Sequence, residues 1–410
     1  MRSCPVALIV LAGALSSSAP AQDGASKAQE RTIAELPRSL WFLLPPREAP
    51  PRSKELGLVV VLPGGTGSRD FLGFVEGGLL AQAPGDCVGA LVTATKWTDD
   101  QQVVWPTAAD KVPGMKYTTE EYVGAVVAAV EKEYAIDPAR RVVVAWSSSG
   151  AAMHPLLASR ASPFARAYVA MSIWPDLRDL TAVKGRRYVL DQSPEDQTTV
   201  FWHVRAAHAA LTKAGAQVQV STYAGGHGWQ DTPLPRFRKG LEWLLSDEPA
   251  GKPDWPAPPV AKRDGKLVNL VTNGGFEDGT KGWTVAEGDP GVRVVTDEKA
   301  GSGSLYLTLG RGGIGVLEQH FELPPGKTLT ATVRYRLKGV NAAGVHIRLY
   351  GADNKPIHSD ASLVSESGDE KWRQARRQWS TKGAVRATVE VVLVNHGEMW
   401  LDEVVVTVDG

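Results

Sequence analysis

The chain has 410 residues, of which 43% are hydrophobic and 22% are charged, a balance typical of globular proteins with room for two or three domains. Lysine and arginine together number 45, as do aspartate and glutamate, so the formal net charge is zero. A chain without an excess of basic residues is not expected to bind nucleic acid or an anionic membrane surface.

Residues 1–21 are predicted to be a secretory signal peptide. Arg2 supplies the positive start, an apolar stretch covers residues 6–15, and Ala19-Pro-Ala21 fits the cleavage pattern. That stretch is too short to span a bilayer, so we expect a secreted or periplasmic protein without a membrane span. Only Cys87 would remain after cleavage, and no disulfide is expected.

Strand-like and helix-like segments alternate over residues 32–247. This alternation predicts a mostly parallel sheet with helices on both faces, after a flexible segment at 22–30. The predicted strands are 39–45, 56–62, 88–95, 141–146, 167–172, 187–190 and 217–223. The predicted helices are 71–82, 118–134 (which opens with the capping-box pattern Thr118-Thr-Glu-Glu121), 151–158, 198–213 and 236–245.

A change of texture follows this first domain. Residues 248–265 are rich in proline and predict a semi-rigid linker. Over residues 266–410, short alternating runs of valine, threonine, leucine and tyrosine are separated by glycine, asparagine and aspartate. This spacing predicts an antiparallel β-sandwich of the jelly-roll type.

The segment Arg141-Val-Val-Val-Ala-Trp-Ser-Ser-Ser-Gly150 carries the strongest chemical signal. A buried strand that turns sharply into a helix, with a serine at the turn, is the nucleophile elbow of an α/β-hydrolase. This fold class is therefore predicted for the first domain.

Two serines compete for the role of nucleophile. The turn brings the positions two before and two after the nucleophile together, so both must be small. Ser147 satisfies this with Ala145 and Ser149, whereas a literal G-x-S-x-G match favours Ser148, which Gly150 follows. Sterics place Ser147 first, and Ser148 stays a candidate.

The histidine and the acid should follow the serine in that chain order. His227 comes after the last predicted strand, between glycines that let the loop bring its ring to the serine. The segment after the preceding strand offers Asp191, Glu195 and Asp196. Asp196 is preferred because the acid usually sits a few residues beyond the strand end, and Asp191 is the alternative.

Stabilisation of the developing oxyanion requires backbone N–H groups. One is expected from the residue after the nucleophile, which is Ser148 or Ser149. The second is expected from the glycine-rich loop after an early strand, at Gly65 or Thr66. Catalysis of this kind is predicted to need no cofactor.

Residues 36–245 resemble secreted α/β-hydrolase esterases of the polyhydroxybutyrate depolymerase and feruloyl or acetyl xylan esterase type. The matching pieces are Leu62-Pro-Gly-Gly65, Ile136-Asp-Pro-Ala-Arg140, the serine turn and Gly225-Gly-His-Gly-Trp229. Pro63 replaces the family's usual histidine, and Ala145 replaces the first elbow glycine. The resemblance implies hydrolysis of acyl esters through an acyl-enzyme.

The C-terminal region resembles the jelly-roll carbohydrate-binding modules found beside glycanases. The matching segments are 273–283, which begins Asn-Gly-Gly-Phe-Glu, and 399–405, which begins Met-Trp-Leu-Asp. The resemblance implies a polysaccharide partner and a structural calcium ion held by Glu277 and Asp402, since carboxylates suit this hard cation.

The sequence therefore predicts a secreted serine esterase acting on or near polysaccharide, on acetyl or hydroxycinnamoyl esters. A serine peptidase on the same fold is an alternative, although such peptidases usually carry a large extra N-terminal domain. A second alternative, raised by the missing elbow glycine, is a catalytically inactive glycan-binding protein.

Overall fold

A computed structural model describes most of the chain. The described residues are 28–48, 55–175, 177, 179–196, 198–256, 260–276, 278–285, 292–296, 305–340, 342–357, 362–366 and 371–409. The predicted signal peptide lies outside them. The chain divides into two compact units, Met1–Asp254 and Trp255–Gly410, and this division falls within the predicted linker.

The first unit is built on an eight-stranded sheet with the order β1-β2-β4-β3-β5-β6-β7-β8. Its strands are β1 (Gln29–Arg31), β2 (Trp41–Leu44), β3 (Leu56–Leu62), β4 (Cys87–Val92), β5 (Ile136–Trp146), β6 (Arg166–Ala170), β7 (Arg187–Gln192) and β8 (Gln217–Thr222). Strands β3 to β8 run parallel to one another, whereas β2 pairs antiparallel with both β1 and β4.

The centre of this sheet is covered on both faces. Every residue of β3 is buried, as expected for a parallel strand packed on both sides. Val59 and Val61 share one apolar cluster with Phe237 and Leu241. The predicted α/β-hydrolase fold is confirmed for this unit.

The sheet begins earlier than the sequence predicted. Gln29–Arg31 forms β1 and pairs with Trp41–Leu44, so residues 29 and 30 belong to an edge strand and not to a flexible segment. The three residues of β1 are polar and largely exposed. An exposed edge strand needs no alternating apolar pattern, and this is why the sequence gave little signal for it.

The helices flank the sheet between successive strands. They are α1 (Leu72–Phe74), a π-helical turn (Val75–Leu79), α2 (Leu80–Gln82), α3 (Thr119–Glu133), α4 (Gly150–Ala158), α5 (Trp202–Lys213) and α6 (Pro233–Leu245). The predicted helix 71–82 is thus interrupted by a π turn, which contains two consecutive glycines with low helix propensity. The predicted capping box of α3 is present at Thr118 and Glu121.

The second unit is an antiparallel β-sandwich. Its strands are β9 (Lys262–Arg263), β10 (Lys266–Leu267), β11 (Thr284–Val285), β12 (Val292–Thr296), β13 (Leu305–Glu322), β14 (Thr328–Lys338), β15 (Ala342–Gly351), β16 (Ser362–Glu366), β17 (Arg373–Ser380) and β18 (Ala384–Asp409). The predicted jelly-roll class is confirmed for this unit.

The two longest strands of the sandwich, β13 and β18, pair with each other, and β18 also pairs with β14 and β15. β18 pairs with β13 along most of its length, with a register shift between Leu309 and Gly313. Residues 384–394 of β18 also pair with β15, and residues 398–409 pair with β14. Inward side chains alternate along β14 and form one apolar core with those of β15 and β18.

Within the described part of the chain, no helix combines the length and the apolar character that crossing a membrane would require.

Candidate active site

The turn after β5 is a strained elbow. Ser147 has a φ of 54°, a left-handed conformation that costs energy for a residue with a side chain. One 3₁₀ turn at Ser147–Ser149 leads directly into α4. A Cβ atom on Gly150 would lie 2.3 Å from the Cβ of Ser172, so glycine is needed at the start of the helix.

The three serines of this turn make different contacts. The Ser147 hydroxyl lies 3.0 Å from Nε2 of His227. The Ser148 hydroxyl instead donates to the carbonyl oxygen of Gly65 at 2.8 Å, and the Ser149 hydroxyl donates to the carbonyl oxygen of Leu62 at 2.6 Å. Of the two candidate nucleophiles, Ser147 is the one that the fold brings to the histidine.

The preferred acid lies on the other side of the same histidine. Nδ1 of His227 is 2.8 Å from Oδ2 of Asp196. The Asp196 side chain has no exposed area, whereas that of His227 is 21% exposed. Backbone N–H groups of Thr198 and Thr199 each donate to Oδ1 of Asp196 at 2.8 Å. Thr198 and Thr199 thus lie in the loop that holds the acid, and helix α5 begins at Trp202 and not at the predicted residue 198.

Glycines shape the loop that carries the histidine. Gly225, Gly226 and Gly228 have φ values of 107°, 79° and 121°, which side-chain-bearing residues rarely adopt. The N–H of Gly226 donates to the Ser193 hydroxyl at 3.2 Å, and the N–H of Gly225 donates to a Glu195 carboxylate oxygen at the same distance. The histidine loop is thereby joined to the loop that carries Asp196.

The alternative acid, Asp191, makes a different contact. Its buried carboxylate forms an ion pair with Nε of Arg236 at 2.8 Å, and the Arg236 guanidinium stacks over Tyr223 at 4.1 Å. Burial raises the pKa of Asp191 above its ordinary value, although the ion pair opposes this shift. Asp191 therefore joins β7 to α6, and it is Asp196 that contacts the histidine.

The predicted oxyanion loop packs against the elbow. Gly64 to Gly67 form a turn closed by a 3.0 Å hydrogen bond from the Gly67 N–H to the Gly64 carbonyl oxygen, and Gly65 has a φ of 60°. A Cβ on Gly64 would lie 2.6 Å from Cδ1 of Trp146. Gly65 and Thr66 thus lie in a turn that contacts the elbow at two points. One is Gly64 against Trp146, and the other is the hydrogen bond from Ser148 to Gly65.

Sequence reasoning missed the groups that support this arrangement. Nε2 of Gln192, which is fully buried, donates to Oδ2 of Asp196 at 2.7 Å. Trp146 and Trp229 meet edge to face with ring centroids 5.5 Å apart, which packs the elbow against the histidine loop. A polar residue at the end of a buried strand, Gln192, was the available signal for the first of these contacts.

Two tryptophans, Trp97 and Trp105, lie in the loop after β4. Trp105 is buried, and it lies so close to Gly67 that a Cβ there would come within 2.9 Å of the ring. Trp97 meets Tyr117 edge to face at 4.9 Å. Trp105 therefore supports the glycine turn from behind.

In the second unit, the calcium prediction stays a prediction. Glu277 lies outside the described residues. Oδ1 of Asp402 accepts the Glu403 N–H at 2.8 Å, and its Oδ2 lies 3.6 Å from Nη1 of Arg334. The described residues contain no group of three or more His, Cys, Asp or Glu side chains placed to share a metal ion.

Comparisons with known proteins give distant likenesses. No protein-family model matches the chain, and no curated protein matches it. Among solved structures, the Bacillus cereus carboxylesterase is 14% identical to this chain, with a TM-score of 0.40. The match covers 50% of this chain and 93% of the carboxylesterase. The module TmCBM61, solved with β-1,4-galactotriose, is 20% identical, with a TM-score of 0.29. The match covers 35% of this chain and 99% of the module.

A third match is the enzymatically active domain of tailspike protein 4 of bacteriophage CBA120, which is 9% identical with a TM-score of 0.30. It covers 65% of this chain, and this chain spans 34% of its length. The structure of the chain itself comprises an α/β-hydrolase unit with a Ser–His–Asp contact, followed in sequence by a jelly-roll unit.

Proposed function

We propose that this protein is a serine esterase that hydrolyses acyl esters through an acyl-enzyme. The observation that carries the proposal is the continuous contact from Ser147 through His227 to Asp196, at 3.0 and 2.8 Å. These distances match the hydrogen-bond reach that an activated serine needs. The strained φ of Ser147, which holds the hydroxyl out at the turn, also supports it.

The proposed reaction follows from the position of each atom. Oγ of Ser147 attacks the ester carbonyl carbon while Nε2 of His227 takes its proton. Asp196 holds Nδ1 of His227 and stabilises the imidazolium. The proton then passes to the leaving alcohol, and an acyl-enzyme remains. Water, deprotonated by His227, attacks this ester, and the proton returns to Oγ of Ser147 as the carboxylic acid leaves.

Backbone N–H groups would stabilise the oxyanion. With Ser147 as the nucleophile, the donors are the N–H of Ser148 and that of Gly65 or Thr66. The hydrogen bond from Ser148 to the Gly65 carbonyl supports this assignment, because it holds the two turns against each other. The N–H of Ser149 would serve only in the alternative register.

The elbow tolerates the missing glycine of the family pattern. Ala145 is fully buried in β5 beside Leu62, and the next turn still reaches the left-handed conformation at Ser147. Ala145 therefore gives no geometric reason to expect an inactive hydrolase unit.

We place the protein outside the cytoplasm, with a polysaccharide carrying acetyl or hydroxycinnamoyl esters as its substrate. The signal-like sequence at residues 1–21 supports the location. The sandwich unit and its sequence resemblance to carbohydrate-binding modules support the polysaccharide, since tethering would raise the local substrate concentration. Retardation of the full chain in gels containing acetylated xylan, compared with gels containing no glycan, tests the binding.

A structural calcium ion in the second unit is part of this proposal. Asp402 would supply one carboxylate and Glu277 another, in the oxygen-rich setting that calcium prefers. The ion pair between Arg334 and Asp402 is a competing contact. A thermal transition of the sandwich that falls on treatment with a chelator and returns with calcium is the expected result, and a transition that does not move overturns this part.

The first test of the proposed function is labelling of the folded mature protein with a fluorophosphonate, followed by peptide mass mapping. We expect an adduct on Ser147 that is lost in Ser147→Ala and retained in Ser148→Ala. A folded protein that takes no label would instead be an inactive hydrolase. Labelled protein that turns over short peptides but not aryl esters would be a peptidase.

A further inference from the structure

A buried carboxamide lies directly behind the contact between the acid and the histidine. Gln192, the last residue of β7, has no exposed area. Its Nε2 donates to Oδ2 of Asp196 at 2.7 Å and to the carbonyl oxygen of Thr199 at 2.6 Å. Oδ2 of Asp196 is also the oxygen that contacts Nδ1 of His227. Gln192 therefore bonds to the atom that orients the histidine.

The neighbours of Gln192 fix the direction of its amide. A carboxylate and a backbone carbonyl can only accept hydrogen bonds, so the NH₂ end must face them. Turned by 180°, the amide would bring its own oxygen against both acceptors. Oε1 of Gln192 must therefore point the other way, where it is buried without a hydrogen-bond partner among the described residues. A buried acceptor without a donor is costly.

A small cavity adjoins this amide. It measures about 10 Å³ and is lined by Gln192, His154, Ser172, Trp174 and His203 together with apolar side chains of β6, β7 and α5. This volume is close to the lower limit at which a cavity can hold one water molecule, and a cavity with several polar groups in its lining is the kind that holds water.

His154, which also lines the cavity, carries a second polar atom without a hydrogen-bond partner among the described residues. Nδ1 of His154 is buried and makes no hydrogen bond with the described residues. Burial lowers the pKa of His154 to about 3, so the ring is neutral near pH 7 and can donate from one nitrogen and accept at the other. A single water could donate to Oε1 of Gln192 and bond to Nδ1 of His154, which would satisfy both atoms.

We propose that Gln192 is a positioning residue for the triad acid, and that one water molecule bound between Oε1 of Gln192 and Nδ1 of His154 holds its carboxamide. The positioning role rests on the proposed esterase function, whereas the water site does not. In this arrangement helix α4, which follows the nucleophile, is linked through His154, the water and Gln192 to the carboxylate of Asp196.

The positioning role is tested with Gln192→Leu in the full chain. We expect kcat to fall by about tenfold to a hundredfold with KM within about twofold, because the acid loses its orientation but no substrate contact changes. The downfield proton resonance of the His227 Nδ1–H group should shift or broaden. Gln217→Leu is the matched control, since Gln217 is exposed at the opposite end of the neighbouring strand β8, and it should alter neither.

The two proposals fail in distinguishable ways. Wild-type protein that takes no fluorophosphonate label refutes the esterase, while the resonance still reports whether Gln192 governs the contact between Asp196 and His227. Labelled wild type, with kcat and the resonance unchanged in Gln192→Leu, overturns the positioning role. If Gln192→Leu does not fold, Gln192→Met keeps the length of the side chain and permits the same measurements.

The water site has its own test. A high-resolution crystal structure of the full chain should contain a density peak within hydrogen-bond distance of both Gln192 Oε1 and His154 Nδ1, and an empty cavity overturns it. Ala207→Val, whose side chain would fill the cavity from α5, should remove the peak. It should also lower kcat by up to about tenfold, as expected for one lost neutral hydrogen bond. Ala209→Val, on the exposed side of the same helix, should leave both unchanged.

Discussion

The hydroxyl of Ser148 donates to the carbonyl oxygen of Gly65 at 2.8 Å, so the residue beside Ser147 joins the elbow to the glycine turn after β3. Each hydroxyl of the turn therefore has a separate task. Ser147 faces His227, Ser148 holds the glycine turn, and Ser149 bonds to the carbonyl oxygen of Leu62 at the end of β3. The three consecutive serines, which look equivalent in the sequence, therefore make three different contacts in the fold.

The two candidate acids should respond differently to the same substitution. Asp196→Asn keeps the shape of the side chain but no longer stabilises the imidazolium, so we expect kcat to fall by about 10⁴ with the fold retained. Asp191→Asn leaves the Arg236 guanidinium without its buried partner. This change should lower the free energy of unfolding by about 3–5 kcal/mol, while folded molecules keep their activity. Steady-state kinetics and urea denaturation of both variants separate the effects, and the opposite pattern would make Asp191 the acid.

The glycine turn should not tolerate a side chain where it meets Trp146. A Cβ on Gly64 would lie 2.6 Å from the indole and 2.8 Å from the Trp146 carbonyl oxygen. Gly64→Ala must therefore displace the turn, and we expect kcat to fall by about 10²–10³, as when an oxyanion donor is lost. Gly73→Ala is the matched control because its Cβ would meet nothing within 4 Å. Equal kcat values for the two variants would argue against a role of this turn.

Acid should destabilise the first unit through His154. Burial lowers the pKa of His154 in the folded protein from 6.5 to about 3, so the unfolded chain binds a proton there in a pH range where the folded chain does not. The unfolding free energy should therefore decrease as the pH falls from about 6.5 towards 3, by up to about 1.4 kcal/mol per pH unit. Urea denaturation at several pH values should give a shallower dependence for His154→Phe than for the wild type. Parallel curves would show that this imidazole does not contribute.

The capping box of α3 offers a test of stability alone. The Thr118 hydroxyl accepts the Glu121 N–H at 3.1 Å, and the Glu121 carboxylate accepts the Thr118 N–H at 2.7 Å. Thr118→Ala should lower the unfolding free energy by about 1 kcal/mol without changing kcat. Thr212→Ala, an exposed substitution of the same kind on α5, should change stability by less than about 0.5 kcal/mol. Similar losses in both variants would indicate that the cap contributes nothing specific.

The sequence predicted most of what depends on local pattern. The apolar run of β3, the turn after β5 and the change to alternating strands after the linker all have local signatures, and the two fold classes that they predict are confirmed. The steric rule for small neighbours favoured Ser147, the serine that contacts His227. The catalytic roles themselves stay predictions.

Other features depend on contacts between distant segments. The ion pair between Asp191 and Arg236 joins residues on different elements, and nothing in their local sequence indicates the partner. The polar edge strand β1 also lacks a local signal, because it forms through backbone pairing with β2. The π turn that interrupts the predicted helix has a local cause, because it contains two adjacent glycines. Two glycines do not always interrupt a helix, so the sequence alone did not predict this break.

The two long strands of the sandwich also bear on how this protein is made. Because β18 lies between β13 and β15 in one half and between β13 and β14 in the other, neither layer can close before residues 384–409 have left the ribosome. The first unit has all its strands by Thr222, so it can fold while the sandwich is still being synthesised. A premature stop shortly before residue 384 would then release a chain whose first unit is complete and whose second unit exposes the unpaired edges of β13, β14 and β15 to aggregation.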